Sequence, residues 1–208
     1  ATPGTGAGAA STSSARTSVA AAPGAAVPQF RQYRWSAVSA APQRRSGSQR
    51  SWRVGSNLTD QRHGNAWLPA AWFAQPVVDV ARALIGRTLV VAGEDGACLA
   101  AVMTEVEAYG DASDPASHFA FRRGGAARVM VGPPGVVYVY RAHGVHPCFN
   151  IVCEPAGAAS AVLVRGVALL PDRQLIAGPG RTARALGITM DDHGALLDVG
   201  RIRVSMHR

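Results

Sequence analysis

The sequence contains no lysine, few cysteines and no long apolar run. All 21 of its basic residues are therefore arginines. Its three cysteines cannot form a complete disulfide framework and show no CxxC spacing, so we expect free thiols in a reducing compartment. No uninterrupted apolar stretch approaches the ~18 residues that a membrane span requires. The N-terminus also lacks the apolar centre of a signal peptide, and we expect a cytoplasmic protein without a membrane partner.

Positive charge is concentrated in the first third of the chain. The formal net charge is +8 over 208 residues. Residues 1–67 hold eight arginines against one acid, whereas residues 68–208 hold thirteen arginines against twelve acids. Net positive charge is typical of nucleic-acid binders. If residues 68–208 bind DNA, they must do so through a local basic patch.

The chain divides into two parts of different composition. Residues 1–67 are low-complexity Ala, Ser, Gly, Pro and Arg. Such a segment buries too little apolar surface to offset the entropy cost of ordering, so we predict a disordered tail. Residues 68–208 are long enough for one domain with its own core.

Hydrophobic patterning from residue 68 onward predicts an α+β domain. QPVVDVARALIGR is typical of an amphipathic helix, with Pro76 in its first turn and Gly86 just past its end. Five predicted strands and a short second helix follow, in the segments TLVVA, ACLAAVMTEVEAY, GVVYVYR, CFNIVCE, SAVLVRGVALL and GPGRTARALGI. This order favours a single domain with a curved, mostly antiparallel sheet flanked by helices.

Two acids stand out in the segment TEVEAYGDASDPASHF. Glu105 and Glu107 are two residues apart on a predicted strand, so both side chains lie on one face, with their Cα atoms ~6.6 Å apart. Pairs of carboxylates serve as acid and base in the cleavage of glycosidic bonds. The alternative is a solvated strand face carrying ordinary surface acids.

Ring side chains cluster around these acids in the sequence. Tyr109 and His118 follow within a dozen residues, and Tyr138 and Tyr140 share one face of a later strand. Such rings can stack on a nucleic-acid base. Buried core positions for the tyrosines, or an ordinary loop position for His118, are the alternative.

A further motif raises the question of a metal site. His143, His146 and Cys148 form an HxxHxC string after the GPPG turn. Structural zinc usually needs four ligands, and no second cluster is at hand in the sequence. We therefore expect neither a metal nor another cofactor, and keep a small metal-binding domain as an alternative.

Arg165 ends the apolar strand AVLVR. An arginine in such a position usually pairs with a carboxylate or a phosphate. A structural salt bridge and a positioning role in an active site both fit this observation.

Together these segments resemble the alkyladenine (3-methyladenine) DNA glycosylase family, whose members remove damaged purines from DNA. The resemblance runs in order from about Leu68 to Thr189, nearly all of the predicted domain. It is carried by LPAAWFAQPVVDVARALIGRTLV, TEVEAYGDASDPASHFAF, VMVGPPGVVYVYRAHGVHPCFNIVC, ASAVLVR and AGPGRTARALGIT.

The resemblance implies a function and a set of site residues. We expect a monomeric, monofunctional enzyme that binds double-stranded DNA, flips out an alkylated or deaminated purine and hydrolyses its N-glycosidic bond. The implied roles are Glu107 as the base that activates water, Arg165 as its positioning partner, Tyr109, His118 and Tyr140 as the walls of the base pocket, Asn150 as the residue that screens purines, and His143 as the side chain that fills the gap in the duplex.

Three departures from the family pattern bear on activity. Ala126 occupies the position of an expected arginine, and Arg128 follows two residues later. The connection between Arg165 and Ala177 is shorter than is usual in the family, and the chain ends before the family's aromatic-basic ending. These differences keep open an alternative, a catalytically weak or inactive DNA-binding remnant on the same scaffold.

The absence of lysine leads to a testable prediction. Glycosylases that also nick the backbone commonly use an amine to form a Schiff base, and no side chain here supplies one. Duplex DNA carrying a damaged purine should therefore show strand breaks only after alkali has been added to the reaction. Breaks of equal yield without alkali would contradict this prediction.

Overall fold

Residues 31–34, 67–121 and 124–207 are described by a computed structural model of the chain. For residues 31–34 the description covers the backbone alone. The predicted disordered tail, residues 1–67, therefore lies outside the described residues except at this short segment and at Trp67. Its disorder stays a prediction.

A curved antiparallel sheet forms the centre of the described structure, which confirms the predicted fold class. Strands β4, β5 and β6 are consecutive in sequence and adjacent in the sheet, and β3 lies next to β6. β2 and β8 follow beyond β3, while β1 pairs with β3 and β7 pairs with β6. The strands are β1 (Arg31–Arg34), β2 (Thr88–Ala92), β3 (Cys98–Tyr109), β4 (Val137–Ala142), β5 (His146–Cys153), β6 (Ser160–Leu169), β7 (Gln174–Ala177) and β8 (Ile202–Val204).

Short helices flank the sheet in the described part of the chain. None of these helices is long and apolar enough to cross a bilayer. The two helices predicted from the sequence are confirmed, as α1 and α3. The α-helices are α1 (Val77–Leu84), α2 (His118–Phe121) and α3 (Pro179–Ala185), and 3-10 helices span Ala70–Ala74, Gly125–Val131 and Met190–Asp192.

Helix α1 begins and ends where its sequence predicts. Pro76 immediately precedes its first residue, and Gly86, with φ +82°, lies just beyond its end. Its first backbone N–H, at Val77, donates to Oε1 of Glu154 at 2.9 Å. Because the first N–H groups of a helix have no partner within the helix, this distant carboxylate completes the N-terminus.

Two-residue alternation gives the two faces of the sheet different environments. On β4, Val137 and Val139 lie in the main core, whereas Tyr138 and Tyr140 lie in a second apolar cluster with Met130 from the 3-10 helix. Helices α1 and α3 cover the main core. The opposite face is therefore where a pocket can form.

A register shift in β3 places the acidic residues on the pocket face. Met103 lies in the main core, and strict alternation would also send Glu105 and Glu107 there. The pairing of β3 with β6 is irregular on both sides of Glu105, and Val106 and Ala108 enter the core instead. Both glutamates thus face away from the main core.

The predicted sharp turn before β4 is also present. Gly135 adopts φ +77°, and a Cβ atom there would lie 2.9 Å from Cα of Ala70. Only glycine combines this backbone conformation with so close an approach. The turn therefore packs the start of β4 against the 3-10 helix at Ala70–Ala74.

Three strands are not predicted by the sequence patterning. Strands β7 and β8 have four and three residues, too few for alternation to be recognised. Strand β1 falls within the predicted tail, and its backbone pairs with residues 105–108 of β3. The thiols of the three cysteines are free and buried.

The contact between Glu154 and α1 generates a stability prediction. Glu154→Ala removes the acceptor of the Val77 N–H and should lower the free energy of unfolding by about 1 kcal/mol, as loss of an N-terminal cap does. Urea unfolding measures the difference. Glu94→Ala, in the exposed turn between β2 and β3, is the matched control and should change stability by less than about 0.5 kcal/mol. Equal stability of the two variants would contradict the capping role.

Candidate active site

A pocket opens on the face of the sheet opposite the main core. The space among its lining side chains, counted to the open mouth and therefore including solvent, is about 340 Å³. The walls come from β3, β4, β5 and β6, from helix α2, and from the loop and 3-10 helix beside it. The lining residues are Tyr109, Ala116, His118, Met130, Tyr138, Tyr140, Asn150 and Ala161.

Three rings form one wall of this pocket. The ring of His118 meets that of Tyr140 edge-on, with centroids 4.1 Å apart. Nδ1 of His118 lies 3.1 Å from the hydroxyl oxygen of Tyr138. Tyr138 and Tyr140 lie side by side, with centroids 5.5 Å apart. These contacts hold the rings in place before any ligand binds.

Asn150 lies on β5 directly opposite Tyr138 of β4. Its side chain is buried, and its amide nitrogen donates to the backbone carbonyls of Tyr138 and Cys148, at 3.1 and 3.2 Å. With both amide hydrogens used in this way, the carbonyl oxygen is the group that Asn150 can offer to a ligand.

The carboxylate of Glu107 is 2 % exposed and is held by two neighbours. The hydroxyl of Tyr109 donates to its Oε2 at 2.8 Å, and Nη1 of Arg165 lies 3.1 Å from its Oε1. A carboxylate oxygen carries two lone pairs, so a carboxylate can accept hydrogen bonds from more than one donor. Tyr109 connects this carboxylate to the pocket that its ring lines.

Glu105 shares the same arginine. Nε of Arg165 lies 3.1 Å from Oε1 of Glu105, which is 6 % exposed. The alternative of a solvated strand face is therefore wrong: both acids are buried, and one guanidinium lies against both of them. Arg165 thus pairs with carboxylates, and its positioning role in an active site stays a prediction beside that of a structural salt bridge.

A buried aspartate shapes the loop between β3 and α2. Asp114 is 1 % exposed, and its two carboxylate oxygens accept hydrogen bonds from the backbone N–H groups of Gly110 and Ala116 at 2.8 and 2.9 Å. The loop thus folds back on itself. Tyr109, before the loop, and His118, after it, therefore both line the pocket.

His143 lies apart from the pocket residues, at the tip of the hairpin between β4 and β5. It is exposed and has φ +51°, and Gly144 beside it has φ +73°. The HxxHxC string does not assemble: His146 is exposed while Cys148 is buried. Among residues 67–121 and 124–207, no group of three or more His, Cys, Asp or Glu side chains is arranged to hold a metal.

The predicted site residues thus fall into three places. Tyr109, His118, Tyr140 and Asn150 line the pocket. Glu107 and Arg165 lie behind Tyr109, and His143 projects from a hairpin tip. The role of each residue stays a prediction, but the structure brings the first six together.

The pattern of the whole domain matches a known family. The family model described as methylpurine-DNA glycosylase matches residues 71–207, which span all strands from β2 to β8 and every residue of the pocket. The chain belongs to the methylpurine-DNA glycosylase family. The enzyme class predicted from the sequence, a DNA glycosylase, is thereby confirmed.

Relatives from several bacteria carry the name "Putative 3-methyladenine DNA glycosylase". The protein of Rhodopseudomonas palustris strain BisB18 is 46% identical over 144 residues, 63% of this chain and 69% of the relative. That of Nitrosospira multiformis is 41% identical over 143 residues, 62% of this chain and 71% of the relative. That of Myxococcus xanthus is 44% identical over 126 residues, 59% of this chain and 64% of the relative.

Sequence reasoning left several pocket residues of this glycosylase unassigned. Tyr138 shares a strand face with Tyr140, so two-residue alternation was a usable signal for it. Ala116, Met130 and Ala161 line the pocket through small or apolar side chains, which carry no chemical signature in a sequence. His193 does not line the pocket but lies behind Tyr138, with ring centroids 5.8 Å apart, and it comes from a distant part of the chain.

Burial and charge raise the pKa of two phenols in this site. For Tyr109, burial is the largest cause, followed by the negative charge of Glu107 and the hydrogen bond to it. Burial is also the largest cause for Tyr140, followed by its neighbour Cys148. Both phenols are therefore neutral hydrogen-bond donors at any physiological pH.

These shifts predict the alkaline behaviour of the protein. A free tyrosine ionises at about pH 10. Of the four tyrosines of the chain, Tyr109 and Tyr140 should stay protonated just above this pH as long as the protein is folded. Because the unfolded chain ionises first, this contribution to stability is complete below pH 10 and declines above it. Tyrosinate absorbance of folded and urea-unfolded protein measures the effect. In Tyr109→Phe/Tyr140→Phe the difference between the two states should shrink. A folded titration identical to the unfolded one would contradict the prediction.

Proposed function

We propose that this chain excises alkylated or deaminated purines from double-stranded DNA by flipping the nucleotide and attacking C1′ with a water activated by Glu107. The observation that carries the proposal is the buried carboxylate of Glu107, fixed by Tyr109 and Arg165 beside a pocket walled by rings. The names of its relatives, which mention 3-methyladenine, support the alkylated part of this substrate class.

The chemistry needs a base close to the sugar. As the bond between C1′ and the purine breaks, the sugar acquires the positive charge of an oxocarbenium ion, which a nearby carboxylate stabilises. Water then forms the new bond to C1′ and gives a proton to Glu107. The electron pair of the broken bond leaves with the purine, so a cationic alkylated purine departs neutral and a deaminated purine takes up a proton from solvent. The products are the free purine and an abasic site, and the backbone stays intact.

The pocket supplies recognition of the flipped base. Tyr109, His118 and Tyr140 offer ring faces and edges, and an alkylated purine that carries positive charge is attracted to such rings. Asn150 offers its amide oxygen as a hydrogen-bond acceptor to the edge of the base. Stacking in the pocket thus offsets the cost of extruding a base, a few kcal/mol.

Contacts outside the pocket complete the interaction with the duplex. His143, exposed at the tip of its hairpin, fills the space that the flipped base leaves. Arg128 and Arg141 are exposed and adjoin pocket residues in sequence, as Arg128 precedes Met130 by two positions and Arg141 follows Tyr140. We assign Arg128 and Arg141 to phosphate contacts, in place of the arginine that is expected where this chain has Ala126. The active species is a monomer that works on DNA in the cytoplasm.

The decisive measurement is excision by the wild type and by Glu107→Gln. Duplex DNA containing hypoxanthine or an alkylated adenine is incubated with the protein and then treated with alkali. Glu107→Gln keeps the shape of the side chain but removes the base, so single-turnover excision should fall by about 100- to 10,000-fold.

The controls separate loss of chemistry from loss of folding or binding. Glu94→Gln, at an exposed turn, should excise at the wild-type rate. Glu107→Gln should still bind duplex DNA that carries a stable abasic-site analogue. Excision by Glu107→Gln at the wild-type rate would remove Glu107 from its role, and binding without excision by the wild type would show a DNA-binding remnant.

A further inference from the structure

We propose that Glu105 is a positioning residue for base excision, acting through Arg165. Glu105 holds the guanidinium in the orientation in which its Nη1 meets Glu107. The inference rests on the proposed function, since it gives Glu105 a part in that reaction without contact to the substrate.

The side-chain geometry supports this arrangement. Arg165 uses Nε for Glu105 and Nη1 for Glu107, each at 3.1 Å. A guanidinium is a rigid fork, so an ion pair at Nε fixes the direction in which Nη1 points. The side chain of Glu105 is 8% exposed and that of Arg165 is 38% exposed. The buried Glu105 therefore holds in place an arginine whose guanidinium could otherwise turn towards solvent.

The backbone of Arg165 is held from the opposite end. Its carbonyl oxygen accepts hydrogen bonds from the N–H of Gly178 and from Oγ1 of Thr182, both at 2.9 Å. Thr182 lies on α3 and is fully buried. Because this helix fixes the main chain of Arg165, the side chain of Arg165 is what remains to be oriented. Glu105 orients it through the contact at Nε.

Packing also fixes Glu105 itself. Glu105 lies opposite Gly166 in the sheet, at the register shift between β3 and β6. A Cβ atom at Gly166 would lie 3.0 Å from Cβ of Glu105 and 3.2 Å from Oγ1 of Thr104. The absence of a side chain at this position is what lets Glu105 approach β6 and reach Arg165.

Stability alone does not account for a carboxylate at position 105. Burying a charge costs free energy, and an apolar residue of similar size is often as stable or more so. A carboxylate at position 105 therefore has another use, which is to hold Arg165 where its Nη1 meets Glu107.

The test compares excision with binding. Glu105→Ala should lower the single-turnover rate by about 10- to 100-fold, as loss of partners that orient catalytic groups does. Its affinity for duplex DNA with a stable abasic-site analogue should stay within about twofold of the wild type. Glu105→Gln keeps an acceptor for Nε, so its single-turnover rate should lie between those of the wild type and Glu105→Ala. Glu94→Ala is the matched control, and urea unfolding verifies that each variant is folded.

A double-mutant cycle shows whether Glu105 acts through Arg165. In an Arg165→Ala background, adding Glu105→Ala should change the rate by less than about twofold. The same fall in both backgrounds would overturn the inference. An alkylated purine that carries positive charge is the substrate of choice, because its weaker glycosidic bond keeps the slow variants measurable.

The outcomes also distinguish this inference from the proposed function. If the wild type excises no purine, the proposed function fails. If the wild type excises and Glu107→Gln does not, but Glu105→Ala stays within about twofold of the wild type, only the role of Glu105 is overturned. Should Glu105→Ala not fold, a Glu105→Gln rate equal to the wild-type rate, with unchanged stability, overturns it as well.

Discussion

The contact of one guanidinium with two buried carboxylates is the constraint on which the site depends. Glu105 and Glu107 are almost completely removed from solvent, and Arg165 lies within 3.1 Å of both. Buried carboxylates remain charged only where a cation and hydrogen bonds compensate the lost hydration. Arg165 supplies such a cation to both acids, and the hydrogen bond from Tyr109 extends the arrangement to the pocket.

The two faces of the sheet have different functions in this domain. One face packs the core that fixes the strands, and the other carries the side chains of the site. The face covered by α1 and α3 supplies the apolar core, and the other supplies rings, an amide and charged groups. Strands β3, β5 and β6, which carry Tyr109, Asn150 and Ala161, each pair with a strand on both sides, and this pairing holds their side chains in position. Residues 68–208 carry little net charge, so the proposed phosphate contacts rest on individual arginines rather than on the charge of the whole domain.

Much of the fold follows from local patterns. The helix α1, the five longer strands and the sharp turn at Gly135 each carry a signal within a short window of sequence. Strands β7 and β8 carry none, because pairing with β6 and β2 rather than their own residues makes them strands. The rings of Tyr109, His118 and Tyr140 were predictable as a group from the resemblance to a family. Ala116 and Ala161 were not, since a small side chain becomes a wall only when its neighbours surround it.

The sequence alone determined the kinds of group available: arginine as the only cationic side chain apart from histidine, two acids two residues apart, and aromatic rings close by. Tertiary structure decided which way the acids face. The register shift between β3 and β6 reverses the alternation after Met103, so Val106 enters the core and Glu107 leaves it. That reversal depends on pairing between strands about sixty residues apart, and no window of the sequence contains both.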